Sequence, residues 1–157
     1  MILQQYQNNA LASAVKAARS SGRFPVYFSG GCNSSIRVVG SIDHLGLGMF
    51  WFDAHADDNT PVNSQNGMFE GMPVSIIAGE CWKAWREKIK GFHVIPSERI
   101  SQVGLYDRSV YVEPPGRRDG VGNLVDPAAV KRRGIRRSFP AGLGSNKSAD
   151  RSRLCPC

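Results

Sequence analysis

The sequence predicts an α/β fold built on a mainly parallel sheet. Short apolar segments of strand length alternate along the chain with segments in which apolar residues recur at helical spacing, an order typical of parallel sheets covered by helices. The chain has 157 residues, of which 41% are hydrophobic, so it is long enough for one domain with a core of its own. Ligands of such folds collect at the carboxyl ends of the strands, where functional residues are therefore expected.

The first part of the predicted domain contains two helices and two strands. Residues 8–21 are predicted to form a helix, because alanine, leucine and valine side chains make one apolar stripe at helical spacing. Residues 24–28 are a short apolar strand candidate that is followed by a serine and two glycines. Residues 34–44 begin with a serine that can cap a second helix, and residues 45–52 are a second buried strand.

A long loop, one helix and two strands complete the predicted domain. The loop over residues 54–71 is too long for a simple connection, which indicates a functional role. Residues 72–89 are predicted to form a helix with Pro73 in its first turn. Residues 92–95 and 100–106 are apolar and are predicted to be further strands.

The charge distribution divides the chain into a nearly neutral body and a basic tail. Residues 1–106 hold nine Lys and Arg against eight Asp and Glu, whereas residues 107–157 hold eleven against five, together with five of the nine prolines. We therefore predict an α/β domain over residues 1–106 and a Pro/Gly-rich, irregular or disordered tail over residues 107–157. Within this tail, residues 110–112 are a strand candidate and residues 127–133 a short helix candidate.

The basic tail has a second interpretation, as a nucleic-acid-binding module. Its arginine and lysine clusters could neutralise phosphates and release counterions. Only Phe139 adds an aromatic side chain to these clusters, and the sequence carries no motif of a nucleic-acid-binding fold. Nucleic-acid binding is therefore the less favoured function.

The composition argues against a membrane protein and against a secreted disulfide scaffold. No apolar run approaches the ~20 residues that a membrane crossing needs, and residues 1–9 lack the pattern of a secretory signal. The four cysteines are irregularly spaced and do not form a disulfide framework. These observations predict a cytoplasmic protein without a membrane partner.

Residues 51–61 are the part of the sequence that most clearly indicates a chemistry. Asp53, His55 and Asp57 alternate directly after a predicted strand, with only alanines between them. Because residues two apart in an extended chain point to the same side, the three side chains are expected to converge. Carboxylate oxygens and an imidazole nitrogen suit a divalent ion such as manganese, iron or zinc. The alternative is a polar loop whose aspartates serve turns and caps.

Four short motifs occur in a fixed order between Gly30 and Pro73. They are Gly30-Gly31-Cys32-Asn33-Ser34, Asp53-Ala54-His55-Ala56-Asp57, Asn59-Thr60-Pro61 and Gly71-Met72-Pro73. In this order and at these spacings they resemble the ureohydrolase family, which includes arginases and agmatinases, and the Asn-Thr-Pro motif is more similar to the arginase branch. The resemblance covers about residues 24–106 and only the middle part of the family's domain, as in a truncated member.

The resemblance implies a partial three-layer α/β/α fold and a two-manganese site that hydrolyses a guanidino compound such as arginine or agmatine and releases urea. It implies that Asp53 bridges the two ions, while His55 and Asp57 each hold one. Asn59 and Asn66 occupy the positions where the family contacts the amino-acid end of its substrate. Glu70 stands where the family usually has a histidine proton shuttle, so it is the candidate catalytic acid or base.

Departures from the family's pattern predict a site that is impaired or incomplete in this chain. The Gly-Gly motif normally continues with Asp-His-Ser, and Asn33 stands in place of that metal-binding histidine. An amide oxygen is a poorer ligand for such an ion than an imidazole. The Asp-x-Asp pair that completes both metal shells in the family does not occur beyond Asp57. Cys32 lacks a neighbouring histidine base and is not assigned as a nucleophile.

Two alternatives to a working hydrolase stay open from the sequence. In the first alternative, the chain is a non-catalytic ureohydrolase-like fragment. In the second, it is a nucleic-acid-binding module that acts through its basic tail. Asn59, Asn66 and Glu70 also have simpler interpretations as two turn residues and a charge before a helix. A parallel sheet with an open edge is expected to associate, so we also predict a homo-oligomer.

Overall fold

The computed structural model describes residues 2–42, 45–89, 91–106, 121–125 and 127–134. Within these ranges the helices are α1 (Ile2–Ser20), α2 (Ser34–Gly40), α3 (Pro73–Ala78), α4 (Lys83–Arg86) and α5 (Pro127–Arg133). The strands are β1 (Met49–Phe52), β2 (Ile100–Val103) and β3 (Asn123–Val125), and short 3-10 helices cover Phe69–Gly71 and Ser97–Arg99. None of the described helices combines the length and apolarity that a membrane crossing requires.

The three strands form one parallel sheet in the order β1-β2-β3. Met49 of β1 pairs with Ile100 of β2, and Ser101 of β2 pairs with Asn123 of β3. Helices α3 and α4 lie in the connection between β1 and β2, which is the crossover that parallel neighbours require. The parallel sheet and its crossover helices confirm the predicted α/β class and bring the three carboxyl ends to one side of the sheet.

The hydrophobic core contains side chains from the sheet and from helices α2 and α3. Ile36 of α2, Ile76 and Ile77 of α3 and Ile100 of β2 have no solvent-exposed surface. Pro73 occupies the first turn of α3, where its missing N–H costs no helical hydrogen bond. The apolar face of α3 therefore holds the start of this helix against the sheet, and the loop that follows β1 packs on that start.

Gly122, directly before β3, is required by both its backbone angle and its neighbours. Its φ is +86°, and a Cβ added there would lie 2.7 Å from the backbone oxygen of Ile100. We expect Gly122→Ala to lower the free energy of unfolding by at least ~2 kcal/mol, because left-handed strain adds to the displacement of β2. Chemical denaturation measures this loss.

Gly22→Ala is the matched control for that substitution. Gly22 has a similar φ of +70°, but an added Cβ would meet nothing within 4 Å. We expect this control to cost only the ~1 kcal/mol of backbone strain. Equal losses in the two variants would contradict the close packing of Gly122 on β2.

Several predicted elements are shorter in the structure than in the sequence analysis. The predicted helix over residues 72–89 is divided, because Gly79 adopts a left-handed φ of 92° and ends α3. The predicted strand over residues 100–106 ends at Val103, directly before Gly104 with its φ of 93°. The predicted strand over residues 45–52 begins only at Met49. Helix α5 has the predicted bounds, and residues 110–112 lie outside the described residues.

The predictions of strands over residues 24–28 and 92–95 are wrong. Residues 24–28 pair with no strand of the described sheet, and Phe24 and Phe28 are 90% and 96% exposed. Residues 92–95 have no strand assignment, and the Ile95 N–H donates to the carbonyl of Ile77, which belongs to helix α3. An apolar segment becomes a strand only where a neighbour offers hydrogen bonds, and its composition does not reveal that neighbour.

Strand β3 and helix α5 both follow residue 106, the end of the predicted domain. β3 pairs with β2 and Val125 is buried, so this part of the basic segment belongs to the sheet. Strand β3 is not predicted from the sequence, because three residues in a glycine-rich context show no strand periodicity. The division into residues 1–106 and 107–157 stays a prediction.

Candidate metal centre

The candidate site lies where β1 ends. The Asp53 N–H donates to the Val103 carbonyl, and the Tyr106 N–H donates to the Ala54 carbonyl, so the chain beyond β1 stays attached to the chain beyond β2. This attachment positions the Asp53 carboxylate at the carboxyl end of the sheet. Asp53 is therefore held by main-chain pairing rather than by a flexible loop.

Cys32, Asp53 and Asp57 form a compact cluster of possible metal ligands. One ligand atom from each residue lies within 4.8 Å of the other two, and the Cys32 Sγ is 3.9 Å from Asp53 Oδ2. Cys32 precedes α2, whereas the two aspartates follow β1. The structure thus brings the Gly-Gly-Cys-Asn segment and the residues after β1 side by side.

Asp57 is the most buried member of this cluster. Its residue exposure is 6%, its φ is 49°, and its Oδ2 has no hydrogen-bond partner. Burial raises the pKa of the Asp57 carboxyl from 3.8 to about 6, although a hydrogen bond from the Cys32 thiol acts in the opposite direction. A buried carboxylate oxygen without a partner is unfavourable until a hydrogen-bond donor or a cation binds it.

His55 does not join the cluster. Its imidazole side chain is 65% exposed, and its Nδ1 lies 3.5 Å from Asp53 Oδ1. The same carboxylate oxygen accepts a hydrogen bond from the His55 N–H at 2.9 Å. The alternation that predicted convergence needs an extended chain, but the backbone bends at Ala54 and His55 and then takes a positive φ at Asp57.

Four hydrogen bonds hold the loop that carries Asp57, three to its main-chain carbonyls and one to the side chain of Asp58. The Ala56 carbonyl accepts from Gln102 Nε2 at 3.0 Å, the Asp57 carbonyl accepts from the Val74 N–H at 2.9 Å, and the Asp58 carbonyl accepts from the Ser75 hydroxyl. Asp58 Oδ2 also accepts from the Val121 N–H at 3.1 Å. The start of α3, the middle of β2 and the residue before Gly122 therefore position this loop together.

Gln102 and Ser75 were not identified as positioning residues by the sequence analysis. Gln102 is 1% exposed and Ser75 is fully buried. Each is a polar residue within an otherwise apolar segment, and buried polar side chains generally have hydrogen-bond partners. A polar residue in a segment predicted to be buried indicates a hydrogen-bonding role, but the sequence does not show which carbonyl each side chain contacts.

Glu70 lies beside the cluster. A Cβ added to Gly31 would be 2.6 Å from Glu70 Oε1, so the carboxylate rests directly on the backbone of Gly31. Burial raises the pKa of the Cys32 thiol to about 12, and the negative charges of Asp57, Asp53 and Glu70 act in the same direction. Glu70 therefore contributes to the negative charge concentrated around Cys32.

The two asparagines predicted to contact substrate have different environments. Asn59 is 7% exposed, its N–H donates to the Gly71 carbonyl, and its Oδ1 has no hydrogen-bond partner. Asn66 is exposed, and its Oδ1 accepts from the Met68 N–H at 2.9 Å, as in a side-chain-stabilised turn. Asn33 is 3% exposed with an unpaired Oδ1.

The donor set of the cluster fits a divalent ion. Two carboxylates and a thiol lie close together, and at least one buried acceptor oxygen has no partner. A cation would offset the burial and the charge repulsion that together raise the pKa values of Cys32 and Asp57. An open cavity of about 420 Å³, lined by Cys32, Asp53 and the glycine pair before Cys32, gives access from solvent.

The family model described as the arginase family matches residues 2–140. Among curated proteins, an arginase of Staphylococcus aureus is 34% identical over 102 residues, which are 64% of this chain and 33% of that protein. Mitochondrial arginase-2 of Bos taurus is 35% identical over 114 residues, which are 69% of this chain and 31% of that protein. The chain therefore spans about a third of the length of these curated relatives.

Solved arginase structures have the same fold over most of this chain. The arginase of Bacillus caldovelox superimposes with a TM-score of 0.66 and 27% identity, over 83% of this chain and 44% of that one. A cold-adapted arginase from Glaciozyma antarctica gives a TM-score of 0.67 and 26% identity, over 86% of this chain and 49% of that one. The described residues thus correspond to part of a larger domain of this fold.

Proposed function

Since the chain belongs to the arginase family, we propose that it is a ureohydrolase-type, metal-dependent hydrolase of a guanidino compound such as arginine or agmatine. Urea is the proposed product, and manganese is the metal that the family resemblance favours. The observation that carries the proposal is the cluster of Cys32, Asp53 and Asp57 beside an open cavity at the carboxyl end of the sheet.

Asp53 and Asp57 are the proposed carboxylate ligands of this site. A divalent ion bound there would supply a water of lowered pKa, near ~7, as a nucleophile at neutral pH. His55 stays a proposed ligand on the resemblance alone, since its imidazole lies outside the cluster. Fewer converging ligands than the two-metal pattern requires make reduced activity the expectation.

Glu70 and Asn59 have proposed roles toward the substrate. The Glu70 carboxylate lies beside Gly31, which lines the cavity, and its proposed role is to accept a proton at Oε1 and return it to the leaving amine. Asn59 is proposed to contact substrate on the resemblance alone, since its unpaired Oδ1 is buried in this structure. Asn66 is a weaker candidate, because its amide oxygen already accepts two hydrogen bonds within its turn.

Urea release is the direct test of the proposal. The full chain is incubated with arginine, agmatine or guanidinobutyrate and, in separate samples, with excess manganese, zinc or cobalt(II), and urea is measured against a metal-free sample. We expect slow release that Asp53→Asn abolishes, because Asp53 is the ligand held at the end of the sheet. Glu87→Gln, at an exposed carboxylate outside the cluster, serves as the control and is expected to leave the rate unchanged.

The absence of urea with all three substrates would overturn the hydrolase proposal and favour the non-catalytic alternative. A rate that survives Asp53→Asn would overturn the assignment of this site. Association of the chain and its cytoplasmic location stay predictions. The exposed Phe24, Phe28 and Phe52 are consistent with an edge that another copy covers, and a mass measurement in solution tests this.

A further inference from the structure

The third ligand of the cluster is a thiol rather than an imidazole. Cys32 Sγ, and not a nitrogen of His55, lies within 4.8 Å of a ligand atom of Asp53 and of Asp57. Thiolate sulfur is a soft ligand that favours zinc and similar ions, whereas manganese prefers oxygen and water. The donor set therefore differs in chemical character from the manganese site that the resemblance implies.

A second, independent observation indicates that the cluster is built to hold a ligand. Only 6% of the surface of Asp57 is exposed, so the residue is more than nine-tenths buried, and its Oδ2 has no hydrogen-bond partner. Hydrogen bonds from Gln102 and Val74 hold the backbone of this residue and of the preceding alanine, so the carboxylate cannot easily turn to solvent. An acceptor fixed in this position is stabilised by a bound cation.

We propose that Cys32, Asp53 and Asp57 form a mononuclear site that binds a borderline ion, zinc or cobalt(II), through the Cys32 sulfur and one oxygen of each aspartate. The inference rests on the proposed metal-dependent function and specifies which ion the site selects. Three protein ligands beside an open cavity leave a further coordination position for water or substrate, as in catalytic zinc sites.

Binding of the ion replaces the proton of the Cys32 thiol. The S–H bond breaks, the proton passes to the buffer, and the sulfur electron pair forms the bond to the metal. Nearby carboxylates disfavour a free thiolate at Cys32. The two positive charges of the ion offset the negative charges of these carboxylates, so they do not oppose this step. No oxidant or reductant is required.

Cobalt(II) titration of the full chain tests the proposal without any assay of activity. A thiolate ligand produces a near-ultraviolet charge-transfer absorption that oxygen ligands do not, and this absorption is expected to rise to one equivalent. Zinc is expected to displace cobalt, and a large excess of manganese is not. Titration in two buffers of different ionisation enthalpy is expected to show a proton released with the metal.

Variants of single cysteines separate Cys32 from the other thiols. Cys32→Ser is expected to lose the charge-transfer absorption and to weaken zinc binding more than ~100-fold, beyond the loss that removal of an outer-shell partner causes. Cys32→Asp keeps an anionic ligand without sulfur and is expected to lose the same absorption while binding manganese more tightly. The controls are Cys81→Ser and the double change Cys155→Ser with Cys157→Ser. Both are expected to keep the charge-transfer absorption.

The possible failures are distinguishable. Cobalt that binds without the charge-transfer absorption, or an absorption that survives Cys32→Ser, would overturn the thiolate assignment and leave the proposed hydrolase site intact. Binding of no divalent ion at all would overturn both. Tighter binding of manganese than of zinc by the unaltered chain would contradict the selectivity.

Discussion

Asp57→Asn is expected to stabilise the metal-free protein and to remove its response to metal. The change deletes a buried negative charge and keeps the shape of the side chain, and asparagine tolerates the φ of 49° at this position. Because the pKa of Asp57 rises from 3.8 in the unfolded chain to about 6 in the fold, ionisation costs at most about 3 kcal/mol of folding free energy.

The pH dependence has a definite sign. Below pH 3.8 the carboxyl is protonated in both states and imposes no penalty, and as the pH rises to about 6 the folded metal-free protein loses stability relative to the unfolded chain. We expect denaturation of the unaltered chain in the presence of chelator to show this loss, and Asp57→Asn to show less of it. The gain for the variant at pH 7.5 is about 2 to 3 kcal/mol.

Added metal is expected to act in the opposite direction. A divalent ion at 100 times its dissociation constant stabilises the unaltered chain by about 2.7 kcal/mol, and Asp57→Asn is expected to gain almost none of this. Glu87→Gln controls for the loss of a carboxylate at an exposed position. An Asp57→Asn protein that is less stable than its parent without metal, or that still responds to metal, would contradict the role of this residue.

Ile76→Ala is expected to cause a large loss of stability. Ile76 is fully buried within the cluster that joins α3 to the sheet. Truncation to alanine leaves a cavity and is expected to lower the free energy of unfolding by about 2 to 5 kcal/mol, whereas Ile76→Val removes one methylene and costs about 0.5 to 1.5 kcal/mol. Urea denaturation without metal measures both changes.

The same substitution is expected to weaken metal binding, because α3 carries the Val74 N–H and the Ser75 hydroxyl that hold the backbone of residues 57 and 58. Val62→Ala, at a side chain that is 92% exposed, controls for loss of an apolar group and is expected to stay within ~0.5 kcal/mol of the unaltered chain. Similar losses for Ile76→Ala and Val62→Ala would contradict the position of the core.

The elements that the sequence predicted well are those in which one local signal is enough. α5 has its predicted bounds, and α1 extends beyond residues 8–21 only at its N-terminal end. The predicted helix over residues 72–89 is too long, because Gly79 ends α3 although the apolar stripe continues beyond it. The apolar residues 24–28 are exposed rather than paired, because strand formation depends on a neighbour elsewhere in the chain.

The position of the candidate site was also predictable, but its membership was not. Charged residues at the end of an apolar strand indicate the carboxyl edge of a parallel sheet, and Asp53 lies there. The third possible ligand in the cluster is Cys32, whereas the sequence predicted His55. Proximity across 21 residues of chain depends on where the segment before α2 meets the end of β1, and no local pattern contains that information.

The sequence by itself determined the α/β class, the family and the strand end at which the acidic residues occur, because each depends on the order and composition of short segments. Only the tertiary structure decided which side chains meet. The backbone bends directly after Asp53, at Ala54 and His55, and hydrogen bonds from α3, from Gln102 and from Val121 hold the residues that follow. These contacts are long-range, so they turn an alternating acidic motif into a cluster of two carboxylates and a thiol.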